Sequence, residues 1–134
     1  AFWGPPLGGE DHAESACRAA IAMRDTIRRF NGRRRLLGES PTRIRIGVHT
    51  GPAIVGNIGA PGRTDFTVVG DTVNLAQRLE QMAKSVTVDA AERDAVILLS
   101  ADVVSDLDGP YALLSLGVRD VPGRDKGLMV FRLK

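Results

Sequence analysis

Between Phe66 and Ala83 the spacing of apolar residues changes period at a single glycine, and this change restricts the fold more than any other feature of the chain. Phe66-Thr67-Val68-Val69 is a short run of β-branched and aromatic residues, which favours an extended strand. Beyond Gly70, Thr72, Leu75, Ala76, Leu79, Met82 and Ala83 recur at helical spacing and form one apolar stripe. Asp71 is placed to cap that helix. Asn74 and Arg78 are four residues apart, so they share one helix face, with Gln77 and Gln81 on the polar flank. A strand that feeds straight into an amphipathic helix needs a sheet for the helix to lie on. The chain is therefore neither all-helical nor all-strand.

The same two periods alternate along the rest of the sequence. Ala13, Ala16, Cys17, Ala20, Met23, Ile27 and Phe30 predict a first helix, opened by a capping-box-like pair of Asp11 and Glu14 and stopped at Asn31-Gly32. Arg33 to Pro41 reads as a polar, flexible connection. Arg43 to His49 alternates strictly, with Ile44, Ile46 and Val48 on one side and His49 opposite. Thr50-Gly51-Pro52 bends the chain, Ala53 to Gly59 is a second extended run, and Pro61-Gly62-Arg63 is a turn. Residues 84–94 are turn-rich, Ala95 to Leu99 is a buried strand and Ser100 to Leu107 a short helix. Tyr111 to Val121 and Leu128 to Leu133 are the closing strands, joined through Pro122-Gly123-Arg124. Mixed helices, strands and hairpins place the chain in the α+β class. Its 134 residues suit one domain. Ala1-Phe2-Trp3-Gly4-Pro5-Pro6 reads as the end of a strand that begins upstream, so the expectation is a fragment whose open sheet edge invites pairing with another chain.

Composition removes several classes. Hydrophobic residues make up 43% and charged residues 25%, which is ordinary for a folded globular domain. The formal net charge of +2 is too small to argue for nucleic-acid binding. Arg28, Arg29, Arg33, Arg34 and Arg35 do cluster, but no aromatic residues interleave with them for stacking, so a solvated helix end is preferred over a polyphosphate or nucleic-acid patch. The single cysteine, Cys17, lies among alanines on the apolar helix face, so it reads as packing and fits a reducing, cytoplasmic setting. His12 reads as an exposed first-turn residue and His49 as a satisfied strand histidine. No phosphate loop, zinc-binding helix or nucleophile elbow occurs.

One segment remains for chemistry. A strand running into a helix that displays Asn74 and Arg78 one turn apart suits an anionic ligand. A solvent-facing helix whose arginine serves only solubility explains the same spacing. Resemblance separates the two. Arg63-Thr64-Asp65-Phe66-Thr67-Val68-Val69-Gly70-Asp71-Thr72-Val73-Asn74-Leu75-Ala76-Gln77-Arg78 resembles the signature of class III nucleotidyl cyclases, the adenylate and guanylate cyclases. Arg45 to Pro52, Ala53 to Gly59, the opening residues through Ala13, Leu116-Gly117 and Val130 to Leu133 resemble neighbouring parts of that family in the same order.

The resemblance implies a ferredoxin-like α+β sandwich, here without its first strand and helices, with residues 1–134 forming the C-terminal portion of a single catalytic domain. It implies conversion of ATP to 3′,5′-cyclic AMP and pyrophosphate, in cyclic-nucleotide signalling. Asn74 would orient the ribose and Arg78 would stabilise charge on the phosphates. Thr67 stands at the adenine-reading position, which favours ATP over GTP and is similar to a subgroup associated with bicarbonate responsiveness. Val69 and Val73 would neighbour the base. Pro122 replaces a lysine of many members, which leaves phosphate holding to Arg124 or Lys126, or leaves Arg124 to plain turn solvation. The cofactor implied is Mg²⁺ or Mn²⁺, with both ligand aspartates upstream, so Asp65 and Asp71 are not taken for them and no metal ligand is assigned within this chain. The partners implied are ATP and a second catalytic domain in a head-to-tail homodimer, with no nucleic acid and with room for an upstream regulatory domain or a membrane attachment. The competing readings are a degenerate module that binds nucleotide or dimerises without catalysis, and a guanylate cyclase.

Overall fold

Residues Ala95–Ser100 are buried without exception, and that burial organises everything around them. A strand covered on both faces needs an unbroken apolar sequence, and Ala95-Val96-Ile97-Leu98-Leu99 supplies it. The computed structural model describes residue 3 and residues 11–57, 66–121 and 125–134, with the backbone alone for 54–57 and 66–68. In chain order these form α1 (His12–Leu36), β1 (Ile44–Val48), β2 (Ile54–Asn57), β3 (Phe66–Val69), α2 (Asp71–Met82), a 3₁₀ turn (Ala90–Glu92), β4 (Ala95–Ser100), α3 (Ala101–Ser105), β5 (Leu113–Arg119) and β6 (Leu128–Leu133).

The main sheet has the order β1-β4-β6-β5. β1 runs parallel to β4, with Ile44 opposite Ala95 and Val48 opposite Leu99. β6 is antiparallel to both β4 and β5. The β5–β6 ladder shifts register at Ser115/Gly117, where Gly117 takes a φ of 75° that a residue with a Cβ avoids. β2 and β3 form a separate antiparallel pair, with Gly56 opposite Thr67.

Alternation along β4 splits the core into two halves. Val96 and Leu98 pack with Leu75 and Leu79 of α2 and with Leu128 and Val130. Ile97 and Leu99 face the other way, against Ala13, Cys17 and Ala20 of α1. The two long helices therefore cover opposite faces of one sheet. Burying a leucine such as Leu79 contributes about 1.5–3 kcal/mol. The first half of α1 offers only small residues at its buried positions, Ala13, Ala16, Cys17 and Ala20, which suits a close approach to the strands.

The structure corrects several local expectations. α1 does not stop at Asn31-Gly32 but runs to Leu36, so Arg33 to Leu36 belong to the helix and not to a flexible connection. The left-handed glycine is Gly38, with φ 72°. Asn31 is fully buried because its amide binds the returning chain: Nδ2 donates to the Thr42 carbonyl at 2.6 Å, and the Thr42 N–H donates to Oδ1 at 2.7 Å. Met23 and Phe30 are 48% and 46% exposed, because in the second half of α1 the inward positions are taken by Arg24, Asn31 and Arg35. Asp11 makes no side-chain cap, and Glu14 is drawn away to accept from the amides of Asp108 and Gly109. Asp71 is the first helical residue of α2, not its cap.

The arginine cluster does more than solvate a helix end. Arg35 binds Asp94 through both terminal nitrogens, at 3.0 and 2.6 Å, which ties α1 to the entrance of β4. Arg34 pairs with Glu39 at 2.9 Å and its guanidinium lies 5.4 Å above the Phe30 ring. Cys17 is fully buried as expected, and burial pushes its thiol up to about 11. Among the described residues, no helix is long and apolar enough to cross a membrane.

Candidate functional site

Val69, Val73, Asn74 and Arg78, four of the site residues read from the sequence, lie at the end of β3 and along α2. The joint between β3 and α2 depends on Gly70, whose φ of 146° and ψ of 171° belong to a region open essentially to glycine alone. Its carbonyl accepts from the amides of Val73 and Asn74 at 3.1 and 3.4 Å and so starts the helix. The inner side of α2 is then fixed by Leu75 and Leu79, both buried. Asn74 and Arg78 fall on the outer side, and both are exposed.

Val69, at the end of β3, is 58% exposed and Val73 is 39% exposed. Solvent-facing valines beside an exposed Asn and Arg form a face with an apolar part and a polar, cationic part. Thr67 lies on β3 directly opposite Gly56, two residues before Val69; its side chain is outside the described residues. Arg124 and Asp65 also lie outside the described residues, and Lys126 is exposed just before β6.

Two glycines that the sequence reading left in the background bring α2 this close to β1. An ideal Cβ on Gly47 would lie 2.5 Å from the Glu80 nitrogen and 2.8 Å from the Leu79 Cβ. A Cβ on Gly51 would lie 2.6 Å from the Thr72 hydroxyl oxygen. The available signal was a glycine interrupting the strict alternation of Arg43 to His49, a mark of close backbone approach. Thr72 was read only as part of the inner stripe, yet its hydroxyl donates to the Pro52 carbonyl at 2.6 Å.

Both histidines support the turn next to this site. His49 Nδ1 is 2.8 Å from the Ser100 hydroxyl, which also accepts from the Val103 amide and caps α3. His12 is half-buried, not exposed, because its Nε2 lies 3.3 Å from the Thr50 hydroxyl. A cleft of about 310 Å³ opens at the opposite end of α2, lined by Arg43, Arg45, Lys84 and Arg93 over Val86 and Val88. None of Val69, Val73, Asn74 and Arg78 lines it.

Among the described residues no three His, Cys, Asp or Glu side chains converge to hold an ion. These residues do not fit a Mg²⁺ or Mn²⁺ site, and the chemistry assigned to them runs on amide, hydroxyl and guanidinium groups.

The sequence matches the adenylate and guanylate cyclase catalytic domain family over residues 3–132. This chain belongs to that family. It is 36% identical over 133 residues to adenylate cyclase 1 of Rhizobium meliloti (strain 1021), a match that covers 99% of the chain and 19% of that protein. Its fold is similar to the adenylyl cyclase CyaB of P. aeruginosa, with a TM-score of 0.77 and 30% identity over 98% of this chain and 64% of that one. It is also similar to a non-canonical dimeric guanylyl cyclase domain of a fusion protein from the aquatic fungus Blastocladiella emersonii, with a TM-score of 0.71 and 26% identity over 98% of this chain and 63% of the other. The chain thus spans about a fifth of the curated relative and just under two thirds of the structural ones. The cyclase fold class agrees with the α+β expectation from the sequence.

Proposed function

We propose that residues 1–134 are the C-terminal portion of a single adenylate cyclase catalytic domain, in a protein that makes cyclic AMP from ATP in the cytoplasm. In that reaction the ribose 3′-oxygen attacks the α-phosphorus in line. A new O–P bond closes the ring, the bond from the α-phosphorus to the bridging oxygen breaks, and pyrophosphate leaves with that electron pair. The 3′-hydroxyl proton goes to solvent or to a base outside this chain.

The observation that carries the reading is the outward pairing of Asn74 and Arg78 on α2, beside the exposed Val69 and Val73, in a member of this family. An amide supplies a donor and an acceptor, and so suits a ribose hydroxyl and ring oxygen at Asn74. A guanidinium carries a fixed charge and a rigid fork of donors, and so suits Arg78 for oxygens on which negative charge builds in the transition state. Val69 and Val73 offer apolar contact to a purine. Thr67, two residues up β3, is assigned to reading the adenine amino group, and Arg124 to holding phosphate. When bound, Mg²⁺ or Mn²⁺ neutralises phosphate charge; its ligands are assigned to residues outside this chain.

The face is exposed, so a second surface is needed to exclude water around the nucleotide. A second copy, arranged head to tail, is the proposed cover. The deciding experiment measures cyclic AMP from ATP and cyclic GMP from GTP with the intact protein, its Arg78→Ala variant and its Asn74→Ala variant. The expected result is preferential formation of cyclic AMP, with turnover lost by about 10²–10³-fold in Arg78→Ala. Preferential cyclic GMP formation would make this a guanylate cyclase. Nucleotide binding without any turnover would make it a non-catalytic module.

A further inference from the structure

We propose that Thr72 is a positioning residue, one that sets where Asn74 and Arg78 stand by bonding the first turn of α2 to the turn after β1. This rests on the reading of Asn74 and Arg78 as nucleotide-facing. A threonine in the first helical turn commonly satisfies a free amide of its own helix. Thr72 does something else: its hydroxyl donates outward to the Pro52 carbonyl at 2.6 Å, across twenty residues of chain. The helix start itself is handled by Gly70, which has no side chain to offer.

The receiving turn is held from two further directions. His49 is bonded to Ser100 at the junction of β4 and α3, and Thr50 to His12 at the start of α1. Pro52 is therefore a fixed acceptor, and Thr72 is the side chain through which α2 is referred to it. Gly47 complements this bond from below. With no Cβ between β1 and the backbone of Glu80, it sets how close the middle of α2 lies to the strand. A helix held through its middle by Gly47 and by the non-directional apolar packing of Leu75 and Leu79 can still roll and slide slightly at its first turn. The Thr72–Pro52 bond adds a second point, at the end of α2 nearest Asn74. A roll of about 10° carries the tip of a side chain some 6 Å long through roughly 1 Å, and misplacement of that size costs up to about 10²-fold in rate.

Gly51 makes the bond testable from its other side. A Cβ there would lie 2.6 Å from the Thr72 hydroxyl oxygen and 3.5 Å from its methyl carbon, so an alanine displaces the hydroxyl from its acceptor while sparing the methyl. In the intact protein, kcat and KM for ATP are measured with melting curves for Thr72→Val, Thr72→Ser, Gly51→Ala, Arg78→Ala and the Thr72→Val/Arg78→Ala pair. Thr72→Val keeps the shape of the side chain and loses the hydroxyl; kcat should fall about 10-fold or more with KM within about 3-fold. Thr72→Ser should restore kcat to within about 3-fold, Gly51→Ala should match Thr72→Val, and the pair should lose less than the product of the two single losses, with Asn74 still displaced.

Wild-type kcat in Thr72→Val, failure of serine to rescue, or losses that multiply in the pair would overturn the proposal. So would loss of folding in both Thr72→Val and Gly51→Ala, since Thr72 would then be purely structural. A low kcat in Arg78→Ala with normal kcat in Thr72→Val sinks this inference and leaves the functional reading standing. Normal turnover in Arg78→Ala removes both.

Discussion

Asn31 and Thr42 exchange two hydrogen bonds, one in each direction between the side-chain amide of Asn31 and the backbone of Thr42, at 2.6 and 2.7 Å. Asn31 is completely buried, and the pair brackets the connection between α1 and β1. It does for this loop what a ladder bond does for a strand, presenting the chain to β4 in the right register. Asn31→Ala leaves the Thr42 N–H and carbonyl without that partner and should destabilise the fold by about 1–3 kcal/mol. Urea unfolding would show this as a lower midpoint at an unchanged slope; an unchanged midpoint would mean that water replaces the amide at no cost.

Two carboxylates should control stability in acid. The Gly109 amide, then the Asp108 amide, holds the Glu14 carboxyl below its ordinary value, and the Arg35 guanidinium does the same for Asp94. A carboxylate depressed in the folded state adds stability that is fully present above its unfolded pKa. That stability drains away as the pH falls through the folded pKa. Midpoints measured from pH 7 downward should hold until about pH 4 to 5 and then fall. In Glu14→Gln and Asp94→Asn the loss should come at the start, with a shallower acid limb below. A limb as steep as that of the wild type in both variants would place the acid sensitivity elsewhere.

Gly47 faces α2 with no room for a side chain, its would-be Cβ 2.5 Å from the Glu80 nitrogen. The crowding atoms there include helix backbone, which cannot rotate out of the way. Gly47→Ala should therefore cost about 1–3 kcal/mol or more, against the usual gain of alanine over glycine in an element interior. Thermal melting checks it; a stabilised variant would show that α2 lifts from β1 freely.

Arg78→Lys separates charge from geometry. Lysine keeps the positive charge and loses the planar fork. If Arg78 supports the leaving phosphates through more than one oxygen, kcat in the intact protein should drop by about 10-fold or more with a smaller change in KM. Equal activity would reduce Arg78 to a general electrostatic contribution.

Cys17 should be inert in the native protein. It has no exposed surface, and its thiol is pushed up to about 11, so at neutral pH it is neither accessible nor ionised. Labelling by a thiol reagent should be slow under native conditions and prompt in denaturant. Prompt native labelling would show that α1 opens away from β4.

The sequence by itself determined the elements whose signal is local. Ala95 to Leu99 read as a buried strand by composition, and its unbroken apolar run matches a strand covered on both faces. The period change at Gly70 marked the joint between β3 and α2, and spacing alone put Asn74 and Arg78 on one helix face. Tertiary structure decided whatever depended on partners distant in sequence. Asn31-Gly32 carried a stop signal, yet the helix continued, because Thr42 captured the Asn31 amide that would otherwise have favoured a turn. Glu14 carried a capping signal, yet the amides of Asp108 and Gly109, more than ninety residues on, took its carboxylate. Thr72 looked like one more residue on an apolar stripe until the turn at Pro52 was seen against it. A side chain with a strong donor or acceptor takes whichever partner the fold brings nearest, and local sequence does not show which that will be.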